Sequence, residues 1–183
     1  MKLREQSSLM VREYDDVIPN KWCKKLIGLF KSSEYQEYID NNHTPCFTQV
    51  NINQHYPDLV KELVVFTRKA YGSYCADIRN RHIPRLRNLE EFRLKRYRTN
   101  GDERFDEHVD VVDHPSAKRA VAFLFYLNDN DGVTRFPLHD LNIHPKRGKV
   151  LVFPPTWEYP HSGLSPSDKT KYILSTYIHY GTN

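Results

Sequence analysis

From about Glu91 to Tyr180 the sequence stops reading as helix and breaks into short runs rich in Val, Ile, Tyr and Phe, and this change constrains the fold most. The runs are FRLKRYR, RFDEHVDVV, AVAFLFYLN, VTRFPL, KVLVFP and KYILSTYIHY, punctuated by turn-forming segments such as DNDG and SPSD. So many short strands in so little chain predict a β-sandwich or jelly roll. Upstream the spacing is helical. IPNKWCKKLIGLFKSS puts Pro19 at a helix start and Trp22, Leu26, Ile27 and Phe30 on one face, which predicts a helix over about 19–31. In YPDLVKELVVFTRKAYGSY, Pro57 again suits a first turn, and Leu59, Leu63, Val64, Phe66 and Ala70 form an apolar stripe. The expected class is α+β with a mainly β core. It is read as a single domain over 1–183, with a helical N-terminal part at about 1–90 and the β core at about 91–180.

Composition narrows the partners and the compartment. Twelve Tyr, nine Phe and two Trp against seven Gly describe a packed aromatic globule, not a low-complexity chain. Cys23, Cys46 and Cys75 are an odd number without metal-type spacing, which argues against both a disulfide framework and a thiolate zinc site. The start, MKLREQSSLMVREYDD, has charges where a signal peptide needs an apolar stretch, and no run is long and apolar enough to span a bilayer. The expectation is a cytoplasmic protein with no membrane partner. The net charge of +4 is unevenly spread: Arg79 to Arg98 holds eight Lys or Arg against two Glu. A solvated basic face explains this run; a nucleic-acid or acidic-substrate surface is the alternative, but no nucleic-acid-binding motif accompanies it.

The segment RFDEHVDVV carries the chemistry. As a strand it places Asp106, His108, Asp110 and Val112 on one face, and His108 and Asp110 are close enough to converge on one metal ion. A surface His–Asp hydrogen bond would account for the pair alone. His161, in WEYPHSG just past KVLVFP, supplies a third ligand, and two histidines with one carboxylate and open positions suit non-haem Fe(II). Beyond it, Lys171 opens a strand on which Lys171, Ile173, Ser175 and Tyr177 share a face. An inward lysine is unfavourable unless an anion pairs with it, and a dicarboxylate co-substrate would be such an anion. A zinc hydrolase could use the same three ligands but leaves Lys171 without a role, and a non-catalytic jelly-roll binding module could share the fold.

Taken together, RYRTNGDERFDEHVDVV, RAVAFLFYLND, GVTRFP, HPKRGKVLVFP and PHSGLSPSDKTKYILSTYI resemble the double-stranded β-helix core of the Fe(II)/2-oxoglutarate-dependent oxygenases, in their prolyl-4-hydroxylase-like branch. The resemblance covers about Phe92 to Tyr180. It implies that His108, Asp110 and His161 bind iron and that Lys171 binds the far carboxylate of 2-oxoglutarate. Tyr126 matches a position whose phenol assists that carboxylate, Tyr97 one that reaches the co-substrate or the iron's surroundings, and Thr134 is a weaker candidate. Fe(II), 2-oxoglutarate and O2 are the implied cofactors, with ascorbate as reductant.

One departure is DGVTRFP, where the family pattern usually has two glycines. The other histidines, His43, His55, His82, His114, His139, His144 and His179, lie outside the motifs and read as surface or structural. The expected substrate is a prolyl residue in a peptide or protein, with Tyr97, Trp157 and Tyr177 available to pack its ring and Arg79, Arg81, Arg85 and Arg87 forming a lid. The same chemistry on a nucleic acid or small molecule is the alternative.

Overall fold

The computed structural model describes residues 9–41, 45–99 and 101–181. Its N-terminal helices fall where the sequence places them. Helix α1 spans Asn20–Ser32 and buries Cys23, Leu26 and Phe30. A short α2, Ile52–His55, is followed by a single 3-10 turn at Pro57–Leu59 and then by α3, Val60–Ile78, which buries Leu63, Phe66, Ala70, Tyr71 and Tyr74. The proline thus sits in a first turn, where its missing N–H needs no partner.

All six anticipated runs form strands, and the N-terminal part adds others, most of them four residues or fewer. In chain order the strands are β1 Arg12–Tyr14, β2 Glu37–Asp40, β3 Cys46–Asn51, β4 Asn88–Leu89, β5 Arg93–Tyr97 and β6 Phe105–His108. They continue with β7 Arg119–Tyr126, β8 Thr134–Phe136, β9 Leu141–Ile143, β10 Val150–Phe153, β11 His161–Gly163 and β12 Lys171–His179. The first ninety or so residues are therefore not merely helical: β1, β2, β3 and β4 all join the larger sheet.

The larger sheet runs β1-β10-β7-β12-β5-β3-β2, with β4 also paired to β12; the smaller runs β6-β11-β8-β9. Every pairing is antiparallel. The chain is mainly β, as expected.

The larger sheet is covered on both faces, so its central strands are buried almost throughout. Alternation divides each strand between two cores. Phe123 and Phe125 of β7 and Tyr172, Leu174 and Ile178 of β12 pack with α1 and α3, while Ala122 and Tyr126 of β7 and Ile173 of β12 face the smaller sheet with Phe136 and Phe153. Gly148 makes the turn into β10 compact. Its φ is +84°, and a Cβ there would meet the Ile18 carbonyl at 2.7 Å, so only glycine fits. No helix among the described residues is long and apolar enough to cross a membrane.

Candidate active site

Strand β6 ends sooner than its sequence suggests. It stops at His108, and Asp110 follows in a bend held by its backbone N–H, which donates to the Pro155 carbonyl at 3.1 Å. Strict alternation would put Phe105 and His108 on opposite faces, yet their rings stack at 3.4 Å between centroids and 6° between planes. The register explains this. His161 of β11 opposes His108 and Gly163 opposes Phe105, so two steps on β11 match three on β6. The extra residue makes a bulge, which re-aims the end of the strand.

The result brings His108, Asp110 and His161 together, with one ligand atom from each within 4.8 Å of the others. Both imidazoles are oriented from behind. Nδ1 of His108 lies 2.7 Å from the Asp106 carbonyl and Nδ1 of His161 3.1 Å from the Tyr159 carbonyl. A carbonyl only accepts, so each Nδ1 carries the proton and each Nε2 presents a lone pair, the orientation typical of metal-binding histidines. Those Nε2 atoms stand 3.5 and 3.6 Å from the two Asp110 carboxylate oxygens. That is beyond ordinary N–H···O range, so the three groups converge on a common point without bonding to one another. Burial opposes the Asp110 charge, but the two imidazoles in their protonated forms and Lys95 more than offset it and draw its pKa down to about 2. Burial also lowers the His161 pKa, favouring the neutral ring. Phe136 and Phe153 flank that ring at 5.6 and 4.7 Å between centroids.

A cavity runs from this cluster along the inner face of the larger sheet to Lys171. Lys171 is 2% exposed, and its Nζ donates to the Gly132 carbonyl at 2.6 Å. The Tyr97 ring centroid is 5.5 Å away. Among the described residues no carboxylate stands beside it, and burial pulls the Lys171 pKa down to about 7. Gly132 itself has no room for a side chain, because a Cβ would meet the Leu164 carbonyl at 2.9 Å. The single glycine retained in DGVTRFP is thus the one whose carbonyl holds the lysine.

Thr134 borders the cavity, whereas Tyr126 stands behind it, fully buried, and donates its hydroxyl to Thr134 Oγ1 at 2.7 Å. This bond occupies an acceptor lone pair of Thr134 and leaves the threonine's own proton free for another partner. Tyr97 lines the cavity directly.

Sequence reasoning gave no role to Lys95, which also lines the cavity. It lay inside a run read as a solvated basic face, although the alternation Arg93, Lys95, Tyr97 on β5 was there to be used. Burial lowers the Lys95 pKa to about 8 against the pull of Asp110. Tyr177 lines the same cavity, and burial, then Asp110, raises its pKa well above the ordinary value. Outside the cavity, a groove that shares Asp110 contains Arg119, which bonds the Asp110 carbonyl at 3.0 Å and pairs with Glu90 at 2.6 Å.

Two expectations fail. Trp157 is 76% exposed and does not line the cavity. Arg79, Arg81, Arg85 and Arg87 are exposed and do not line it either, because the chain there follows the left-handed end of α3 and is tied down where Tyr71 bonds the Pro84 carbonyl. They form no lid over the site. His139 bonds the Glu158 carbonyl and His144 is exposed, so neither joins the cluster, and His43 lies outside the described residues.

Comparison with known proteins follows the same outline. Residues 92–179 match the family model of the 2OG-Fe(II) oxygenase superfamily, and no curated protein matches the chain. Among solved structures, a viral collagen prolyl hydroxylase from Paramecium Bursaria Chlorella virus-1, in its 2OG complex, is 20% identical. It aligns over 94% of this chain and 97% of its own, with a TM-score of 0.71. A Trichoplax adhaerens prolyl hydroxylase, in complex with a hypoxia inducible factor peptide fragment, is 14% identical over 92% and 83% of the two chains, TM-score 0.75. A Pseudomonas putida prolyl-4-hydroxylase is 15% identical over 93% and 92%, TM-score 0.72. At these identities the structures share a fold. Residues 92–179 of this chain thus resemble the 2OG-Fe(II) oxygenase superfamily, and the fold is that of the solved prolyl hydroxylases.

Proposed function

We propose that the chain is an Fe(II)- and 2-oxoglutarate-dependent dioxygenase that hydroxylates a prolyl residue in a peptide or protein, acting as one domain with the two sheets as its double-stranded β-helix. The observation that carries this is the pairing of two features in one cavity: three convergent metal-type ligands at one end and, at the other, a buried lysine with no carboxylate beside it among the described residues.

The donor set fits the metal. Two neutral imidazoles and a carboxylate suit Fe(II) and leave positions for other ligands. His108, Asp110 and His161 would hold it, with Asp106 and Tyr159 carbonyls fixing the imidazoles. Iron with 2-oxoglutarate and O2 supplies the oxidising power that converts C–H to C–OH as the co-substrate becomes succinate and CO2, and ascorbate serves as reductant. The protein's own part is placement. Lys171 and Thr134 receive the far carboxylate, Tyr126 orients Thr134, and Tyr97 closes one side. Phe105, Phe136 and Phe153 keep water from the ligand cluster, which protects a reactive site.

The prolyl reading rests on the resemblance to solved prolyl hydroxylases and on Tyr97 and Tyr177 in the cavity. Its test is succinate release coupled to a +16 mass gain on proline-containing peptides supplied with iron, ascorbate and 2-oxoglutarate. Hydroxyproline is the expected product. Turnover coupled only to oligonucleotides or metabolites would refute the prolyl substrate.

A further inference from the structure

The cavity holds one cation more than metal and co-substrate require. Suppose the reading above: a divalent ion on Asp110 leaves one net positive charge, Lys171 supplies another, and the two carboxylates of 2-oxoglutarate match them. Lys95 is then unmatched. Its side chain lines the cavity beside Asp110, His108 and Tyr177, and its neighbour in register on β12 is Ile173, one inward position from Lys171 toward the ligand cluster. Among the described residues Lys95 makes no hydrogen bond or close ion pair: the Phe47 ring lies 4.8 Å from Nζ, and Asp110 attracts it only at longer range.

A second observation lies on the same strand face. Arg93, two residues before Lys95, bonds Glu91 through Nη2 at 2.8 Å, while its Nη1 is buried without a partner. Buried donors are ordinarily satisfied, so two neighbouring cations with donors in reserve call for an acceptor. A solvated basic run would turn both outward. Here alternation directs both to the side of the sheet that carries Tyr97; Lys95 lines the cavity, and Arg93 lies one inward position further along β5, outside its lining.

We infer that Lys95, supported by Arg93, forms a carboxylate-binding subsite for the substrate, so that the group oxidised lies close to an acidic function. The inference rests on the oxygenase reading and narrows its substrate class. Two sources offer that chemistry: an acidic side chain beside a proline within a peptide, or the free main-chain carboxylate of a terminal or single proline.

Two matched pairs of probes separate them, measured by calorimetry on protein loaded with Mn(II) and 2-oxoglutarate without O2. One pair is a proline-rich peptide with Glu next to proline and its Gln counterpart. The other is N-acetylproline and N-acetylprolinamide. In the wild type the carboxylate member of one pair should bind about tenfold or more tightly than its neutral partner, as expected for a charge-assisted bond. The pair that shows the preference identifies the source. Lys95→Met should abolish it and Lys95→Arg should restore most of it, with 2-oxoglutarate affinity unchanged in both. Absence of preference in the wild type, or its persistence in Lys95→Met, would overturn the subsite. So would loss of 2-oxoglutarate affinity in Lys95→Met, which would give the lysine to the co-substrate. Failure of the wild type to bind metal and 2-oxoglutarate at all is a separate result, and refutes the oxygenase reading instead.

Discussion

Strand β12 faces two cores, and they differ in everything but burial. Toward the helices it presents Tyr172, Leu174 and Ile178 to a dry packing of Phe30, Phe66, Phe123 and Phe125. Toward the smaller sheet it presents Lys171, Ile173 and Tyr177, among two histidines, an aspartate and a second lysine. One backbone therefore carries a face that stabilises and a face that is chemically equipped. Burial disfavours the charged form of Lys171, a common feature of sites arranged for a ligand.

The sharpest way to break the comparison is to remove a ligand from the equipped face. Asp110→Ala should abolish turnover, read as succinate release, while the helix-side core keeps the protein folded by circular dichroism. Next in size is Lys171→Met. A desolvated ion pair cut on one side typically costs about 3–5 kcal/mol, so 2-oxoglutarate affinity should fall on the order of a hundredfold or more with metal binding intact. The same variant should melt higher than the wild type without ligand, because the replacement relieves a buried charge. A lower melting temperature would show that Lys171 supports the fold.

Leu174→Ala tests the opposite face. Cutting a fully buried leucine should destabilise by about 2–5 kcal/mol in denaturant melts, with metal and co-substrate affinities of the folded protein unchanged. A smaller effect comes from pH. Burial holds Lys171 near 7 in the free protein, and a paired carboxylate raises its pKa, so binding takes up a proton at higher pH. Affinity for 2-oxoglutarate should be full below about pH 7 and weaken by up to about tenfold per unit above it, until the pKa of the bound form is reached. Smallest is Tyr126→Phe, which removes only the bond that orients Thr134 and should weaken co-substrate binding by about 1 kcal/mol.

The equipped face was legible in the sequence where alternation is strict. Lys171, Ile173 and Tyr177 share a side as the period of two requires, and Tyr126 lies with Ala122. Legibility failed where backbone geometry intervenes. The bulge in β6 puts Phe105 beside His108, and the strand ends before Asp110, although the cluster forms all the same. Strands β1, β2 and β9 are too short to carry a period, and their pairing is decided by distant partners. Lys95 was hidden by its neighbours: in a run of basic residues, charge suggested solvent where alternation pointed inward. Trp157 shows the converse, an aromatic expected at the site by proximity in sequence and found exposed.

The central claim is that His108, Asp110 and His161 act as one metal site that prepares the cavity for 2-oxoglutarate. Anaerobic titration of metal-free protein with Fe(II) and then 2-oxoglutarate, followed by calorimetry in the wild type and in His161→Ala, addresses it most directly. The account predicts one Fe(II) per wild-type chain, 2-oxoglutarate bound tightly only afterwards, and neither event at that affinity in His161→Ala. Stoichiometric Fe(II) in His161→Ala, or equally tight 2-oxoglutarate binding without metal, would contradict it.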